Sequence, residues 1–222
     1  MTDANGVEDF IRANTEIVAP PLVPEIRLHL ATEITPIWQA TEAELETTGL
    51  PPPFWAFCWP GGQALARYIL DTPEIVRGRN VLDFACGGAV SGVAAARAGA
   101  TRVVANDIDG FALTAARLNF ALNGVSCETT GEDFLAAAGD AAAAFDIVFA
   151  GDIFYERPMA AEVERFLRGC AARGADVLIG DPGRKYLPGD GLEEIVRYKI
   201  PTPLELETRS IMRGAVLRVL PR

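Results

Sequence analysis

The chain has 222 residues, with 20 basic and 30 acidic side chains and a formal charge of −10. Nucleic-acid and anionic-membrane binding both rest on clustered Lys and Arg, so this balance argues against either partner. About 150 residues per domain implies one domain with an appendage, and the half of the chain that is apolar suffices for a substantial core. No apolar run approaches the ~18 residues of a membrane-spanning helix. The acidic stretch from Met1 to Asp9 has neither a basic-then-apolar leader nor an Arg-rich transit pattern. The expectation is a soluble cytoplasmic protein.

The first sixty residues stand apart. They carry Pro20, Pro21, Pro24, Pro36 and Pro51-Pro52-Pro53, with all three tryptophans, Trp38, Trp55 and Trp59. Prolines at that density disfavour helix, while the aromatics supply burial that a disordered tail lacks. Residues 1–60 are therefore expected to pack on the core as a collar rather than to form an independent domain, with a short helix over 10–18. The one histidine, His29, lies in an alternating apolar and polar stretch, which predicts a solvated position on a strand's polar face. That disfavours any mechanism built on a triad or a multi-histidine metal site. Cys58, Cys86, Cys127 and Cys170 are widely spaced, which predicts reduced thiols and no metal.

From residue 61 onward, strands and helices alternate. Helices are predicted over 61–70, 91–98, 111–122 and 156–172, and strands over 81–85, 102–106, 126–129, 145–150 and 176–180. Residues 132–144 read as helix or loop. This alternation implies a doubly wound parallel sheet. The last two strands, 196–200 and 215–220, have no helix between them and read as an antiparallel addition at the edge. Residues 61–222 form the main domain.

The strongest motif is Val81-Leu82-Asp83-Phe84-Ala85-Cys86-Gly87-Gly88-Ala89, a strand running into a small-residue turn and a helix. Small residues such as Gly87 and Gly88 let the backbone approach a ligand, and free N–H groups stand behind them. Asp107 ends the second strand, placed to accept hydrogen bonds from a ribose diol. Asp133 follows the third, within reach of an adenine amino group. Asp83, Asp107 and Asp133 together point to an adenosine ligand. Carboxylate at Asp83 suits a cation and repels a diphosphate, so S-adenosylmethionine is preferred over a dinucleotide. At the end of the fourth strand, Gly151-Asp152-Ile153-Phe154-Tyr155 offers Asp152 to hold an acceptor amine, with Phe154 and Tyr155 as channel walls. Asp181 and Arg184, after the fifth strand, are candidates for substrate contact or for bracing the site.

The chain resembles the lysine methyltransferases of the electron transfer flavoprotein β subunit, within the seven-strand S-adenosylmethionine-dependent methyltransferases. The resemblance rests on Pro53-Phe54-Trp55-Ala56-Phe57-Cys58-Trp59-Pro60-Gly61-Gly62, Ala105-Asn106-Asp107-Ile108-Asp109, Gly151-Asp152-Ile153-Phe154-Tyr155 and Gly180-Asp181-Pro182-Gly183-Arg184. It implies the strand order 3-2-1-4-5-7-6 with strand 7 antiparallel. It also implies cofactor contacts from Trp59, Ala85, Asn106, Ile108 and Phe134 beside those named above. The implied substrate is lysine of that β subunit, whose methylation modulates electron transfer from dehydrogenases, and the implied enzyme is a monomer. Two alternatives stand beside it: another acceptor, such as a ribosomal protein or a small amine, and a non-catalytic cofactor-binding protein. Ala85 and Ala89 replace the motif's usual first and third glycines, a change that bears on cofactor affinity. A lysine attacks only when neutral, and its ordinary pKa is ~10.4. With no histidine base in prospect, deprotonation by solvent is expected, with Asp152 orienting the amine and Tyr155 shaping the channel.

Overall fold

The computed structural model describes residues 4–32, 35, 52–136, 141–202, 207 and 210–221. Pro36, Trp38 and Pro51 of the collar, and part of 132–144, lie outside the described residues.

Seven strands make the main sheet: β3 (Asn80–Phe84), β4 (Arg102–Asn106), β5 (Glu128–Thr130), β6 (Ile147–Gly151), β7 (Asp176–Asp181), β8 (Leu192–Pro201) and β9 (Ile211–Val219). Their order is β5-β4-β3-β6-β7-β9-β8. Counting from β3 as strand 1, this is 3-2-1-4-5-7-6. The strands from β5 through to β7 are parallel, and β9 runs antiparallel to both β7 and β8. The expected terminal pair is longer than its apolar centre suggested, because the polar ends of β8 and β9 continue the ladder. The third strand begins at Glu128, two residues later than expected.

Among the described residues, four helices flank this sheet: α2 (Pro60–Asp71), α3 (Val90–Arg97), α4 (Gly110–Leu122) and α5 (Arg157–Ala172). Strand residues alternate between the faces. Val81, Ile147, Phe149 and Leu178 pack with Leu65, Ile69, Val93 and Phe120 of α2, α3 and α4. Leu82, Val148, Val177 and Ile179 pack with Val163 and Leu167 of α5. Burial on both faces is why these strands read as nearly continuous apolar runs.

In the collar, helix α1 spans Ala4–Asn14 and strand β1 spans Glu16–Val18. The single helix expected over 10–18 is thus corrected to a helix end followed by a strand. β1 pairs antiparallel with β2 (Leu28–Leu30). Ile11, Trp55 and Ala56 pack on Ala112, Ala115 and Leu118 of α4. His29 is buried, only 5% exposed, and its Nδ1 lies 3.3 Å from Thr15 Oγ1. The solvated position is overturned because Thr15 and the end of α1 lie on the face that alternation had assigned to water, while the backbone N–H of His29 donates to Asn119 Oδ1 at 2.8 Å. Burial lowers the pKa of His29, which favours the neutral ring.

Candidate active site

The site lies at the carboxyl ends of β3, β4 and β6, where the strand order reverses. This is the switch point at which open α/β sheets bind ligands. Beyond β3 the backbone turns left-handed at Ala85 (φ 49°), Gly87 (φ 50°) and Ala89 (φ 58°). Such a conformation costs an alanine about 1–2 kcal/mol. Gly88 also leaves little room for a side chain, since a Cβ there would sit 3.0 Å from the Trp55 carbonyl oxygen.

Two carboxylates hold this loop. The Gly92 N–H, in the first turn of α3, donates to Asp83 Oδ2 at 2.8 Å. The Gly87 N–H donates to Asp107 Oδ2 at 2.9 Å, and the Asp109 N–H donates to Asp107 Oδ1 at 3.0 Å. Burial pushes the pKa of Asp83 up to about 7, against the pull of the Gly92 N–H, and the neighbouring Asp107 charge adds to the rise. Burial raises Asp107 as well, opposed by its backbone donors. Asn106 is buried, and its Nδ2 donates to the carbonyls of Thr130 and Glu132 at 3.1 and 2.9 Å, which fixes the chain beyond β5. Asp133 Oδ1 accepts the N–H groups of Leu135 and Ala136. Phe134 is buried against Phe166, and Ile108 is 77% exposed.

These residues line one cavity of about 690 Å³. Trp59, Asp83, Ala85, Gly87, Gly88, Asn106, Asp107, Ile108, Asp133 and Phe134, every residue expected on the cofactor side, contribute to its wall. So do Asp152, Tyr155 and Arg184.

The acceptor-side end is built by close backbone approach. Asp152 has a φ of 54°, which turns its side chain back across the strand ends. Its Oδ2 accepts the Gly61 N–H in the first turn of α2, so the carboxylate neutralises a helix N-terminus contributed from elsewhere in the fold. Its Oδ1 accepts a hydrogen bond from Arg184 Nε at 2.9 Å and forms an ion pair with Nη2 at 2.7 Å. Arg184 Nη2 also meets Glu207 Oε1 at 2.7 Å, and the guanidinium lies 5.7 Å from the centre of the Trp59 ring. Burial raises the Asp152 pKa to about 6, with Arg184 restraining the rise.

Two expected residues lie elsewhere. Phe154 is fully buried in the core beneath α5 and does not wall the cavity, a correction to its assignment as a channel residue. The chain turns left-handed at Asp152, two residues earlier, and Phe154 enters the core while Tyr155 faces the mouth. Asp181 is not among the lining residues: its Oδ1 accepts the Gly183 and Arg184 N–H groups at 2.6 and 2.7 Å, so it braces the turn that presents Arg184. Gly61, Glu207 and Phe54 were not singled out from sequence. Gly61 and Phe54 were signalled only by lying in the Pro53–Gly62 segment that carries the resemblance.

Among the described residues the lining carries seven acids, Asp83, Asp107, Asp109, Glu132, Asp133, Asp152 and Glu162, against Arg165 and Arg184. Such a surface disfavours a diphosphate and favours a cationic ligand. Among the described residues, no group of His, Cys, Asp and Glu is arranged to hold a metal, and no helix is long and apolar enough to cross a membrane.

Comparison with known proteins decides the lineage. The chain is 38% identical to the electron transfer flavoprotein beta subunit lysine methyltransferase of Danio rerio, over 96% of this chain and 83% of that protein. It is 37% identical to the Homo sapiens protein of that name, over 87% and 74% respectively. The chain belongs to this family. Residues 63–156 also match the ribosomal protein L11 methyltransferase (PrmA) family. In fold, the enzyme is similar to a proposed RNA methyltransferase of Pyrococcus horikoshii, with a TM-score of 0.55 at 14% identity, covering 77% of this chain and 90% of that one. It is also similar to a proposed methyltransferase solved with S-adenosylhomocysteine, with a TM-score of 0.52 at 12% identity, covering 72% and 50%. The enzyme is a methyltransferase, and S-adenosylmethionine is its cofactor. The cavity fits it: the acids suit a sulfonium and an ammonium, and the left-handed loop clears a path for close approach.

Proposed function

We propose that this methyltransferase modifies the ε-amine of lysines on the electron transfer flavoprotein β subunit, and that the modification modulates electron transfer from dehydrogenases. The observation that carries the reading is membership of the lysine methyltransferase family across nearly the whole chain. The acceptor-side geometry supports it. Asp152 and Arg184 form a charged floor, with Trp59 and Tyr155 beside it. S-adenosylmethionine, when bound, supplies an electrophilic methyl group. Asp83, Asp107 and Asp133 would hold it, with Ile108 and Phe134 supplying apolar contact. Asp152 has Oδ1 occupied by two nitrogens of Arg184 and Oδ2 by the Gly61 N–H, so Oδ2 retains a lone pair for the incoming amine. Tyr155 bounds the approach. The proton passes to solvent, since the one histidine is buried in the collar.

The four cysteines, all free, support a reducing, cytoplasmic setting, and we propose a monomer. Incubating purified protein with the β subunit and labelled S-adenosylmethionine, followed by peptide mapping, tests the assignment. Label on lysine of the β subunit is expected. Label on ribosomal proteins of an extract, with none on the β subunit, refutes it.

A further inference from the structure

Exposed large apolar side chains are unevenly placed on this protein. Among the described residues they are Ile17, Phe54, Ile108, Tyr155, Ile211 and Leu220. Three of these six, Phe54, Ile108 and Tyr155, line the cavity. Ile108 lies beside Asp107, on the cofactor side. Phe54 and Tyr155 lie on the β6 side and touch each other, with ring centroids 5.5 Å apart. Phe54 is 49% exposed and Tyr155 45% exposed.

Core packing does not account for Phe54. It opens the 3-10 turn Phe54–Ala56, and the next two residues, Trp55 and Ala56, are buried. Trp55 stacks on Phe111 of α4, with centroids 6.2 Å apart, and its backbone covers Gly88. These contacts fix the turn as a roof over the loop and leave the Phe54 ring at the rim. The carbonyl of Phe54 accepts the Trp59 Nε1–H at 3.0 Å, and the two rings lie 6.2 Å apart. Trp59 in turn faces Arg184, the partner of Asp152. A continuous aromatic surface thus runs from solvent at Phe54 and Tyr155, past Trp59, to the carboxylate.

We propose that Phe54 is a specificity-determining residue for the acceptor: its ring and that of Tyr155 form the doorway that receives a long, cationic side chain on its way to Asp152. The inference rests on the lysine reading above. A lysine has an apolar stem that packs on ring faces and an ammonium that those faces attract. The collar then does more than cover the fold. It supplies half of the acceptor entrance, while β6 and its following loop supply the other half.

The test uses the full chain, with methyl transfer measured against varied β subunit. Phe54→Ala is expected to raise the acceptor KM about ten-fold, on the scale of one aromatic–cation contact. The kcat and the cofactor Kd by calorimetry are expected to stay within about two-fold. Phe54→Tyr restores the KM, and Phe54→Leu, which keeps apolar bulk without the ring, falls between. An unchanged KM in Phe54→Ala overturns the proposal, as does a loss confined to kcat or to cofactor binding. Both results leave the lysine reading intact, because wild-type protein still transfers methyl to lysine. Wild-type protein that labels no lysine overturns both.

Discussion

Gly61 is the position at which the active site is most exposed to a single added methyl group. A Cβ there would overlap the Gly180 carbonyl oxygen and lie 2.6 Å from both the Gly180 carbonyl carbon and Asp152 Oδ2. Two of these atoms are backbone of β7, and the third belongs to a carboxylate pinned by Arg184, so no flexible side-chain end can yield. The reverse contact is as tight, because a Cβ on Gly180 would overlap the Gly61 carbonyl oxygen. Relief requires the N-terminus of α2 to lift from the ends of β6 and β7, which breaks the Gly61 N–H bond to Asp152. Overpacking of this kind costs about 1–3 kcal/mol or more. The better helix propensity of alanine offsets at most ~1 kcal/mol. Gly61→Ala is therefore expected to lower stability by about 2 kcal/mol, or about 4–8 °C in Tm at this chain length. Methyl transfer should fall further than stability, since the displaced group is Asp152. Gly62→Ala is the control on the same helix: its Cβ would meet only Val90 Cγ1, at 3.1 Å. Thermal unfolding and transfer rates measured on both variants decide the matter. Gly61→Ala matching Gly62→Ala in both would refute the packing argument.

Arg184→Met leaves Asp152 and Glu207 buried without their shared cation, with side chains only 6% and 7% exposed. Removing one partner of such a cluster costs about 3–5 kcal/mol, and the Asp152 pKa should rise further above about 6, moving the acid limb of the rate profile to higher pH. A pH–rate profile with an unmoved limb would show that Arg184 does not tune Asp152. Ala85→Gly relieves left-handed strain and removes a methyl from the cavity wall. After the unfolded-state entropy of glycine is counted, a gain of about 0.5–1 kcal/mol is expected. It should come with tighter cofactor binding by calorimetry, and weaker binding would contradict the reading of the loop.

The parallel sheet was legible because strands buried on both faces must be apolar throughout, and α2 and α5 carry a one-sided apolar stripe. The cofactor side was legible for a related reason. Asp83, Gly87 and Asp107 line the cavity where they stand, at the ends of strands already recognised. The acceptor side was less so. Asp152 and Gly61 are 91 positions apart in the chain, and Arg184 and Glu207 are 23 apart. Nothing local announces either pairing. The direction of Phe154 was misjudged because nothing in the sequence announces the left-handed φ at Asp152, unusual for a non-glycine residue, beyond which Tyr155 and not Phe154 faces the cavity. His29 was misjudged for another reason. Alternation says which residues share a face, but not whether a second layer covers that face.

The net charge of −10 also acquires a location. In the collar, Glu8 pairs with Arg12 and Glu25 with Arg67, so part of its acidity is neutralised locally. In the cavity, seven acids among the described residues face two arginines, and burial shifts the most enclosed of the acids toward their protonated forms. Asp83 is the case to follow, with a pKa raised from 3.8 to about 7. A folded-state carboxyl pKa above the unfolded value means that the folded protein holds the extra proton across pH 4–7. This group's contribution to stability is therefore present at the acid end of that window and declines as pH rises through it. A bound cation reverses the preference, because it favours the carboxylate. At pH 6.5, a group with a pKa of 7 is about three-quarters protonated, so cofactor binding should release up to ~0.7 proton. Calorimetry in two buffers of different ionisation enthalpy measures that number directly. Asp83→Asn should abolish most of the release while flattening the pH dependence of stability between pH 4 and 7. Equal binding enthalpies in both buffers for the wild-type protein would mean that Asp83 is already ionised before the cofactor arrives, and that burial does not control its charge.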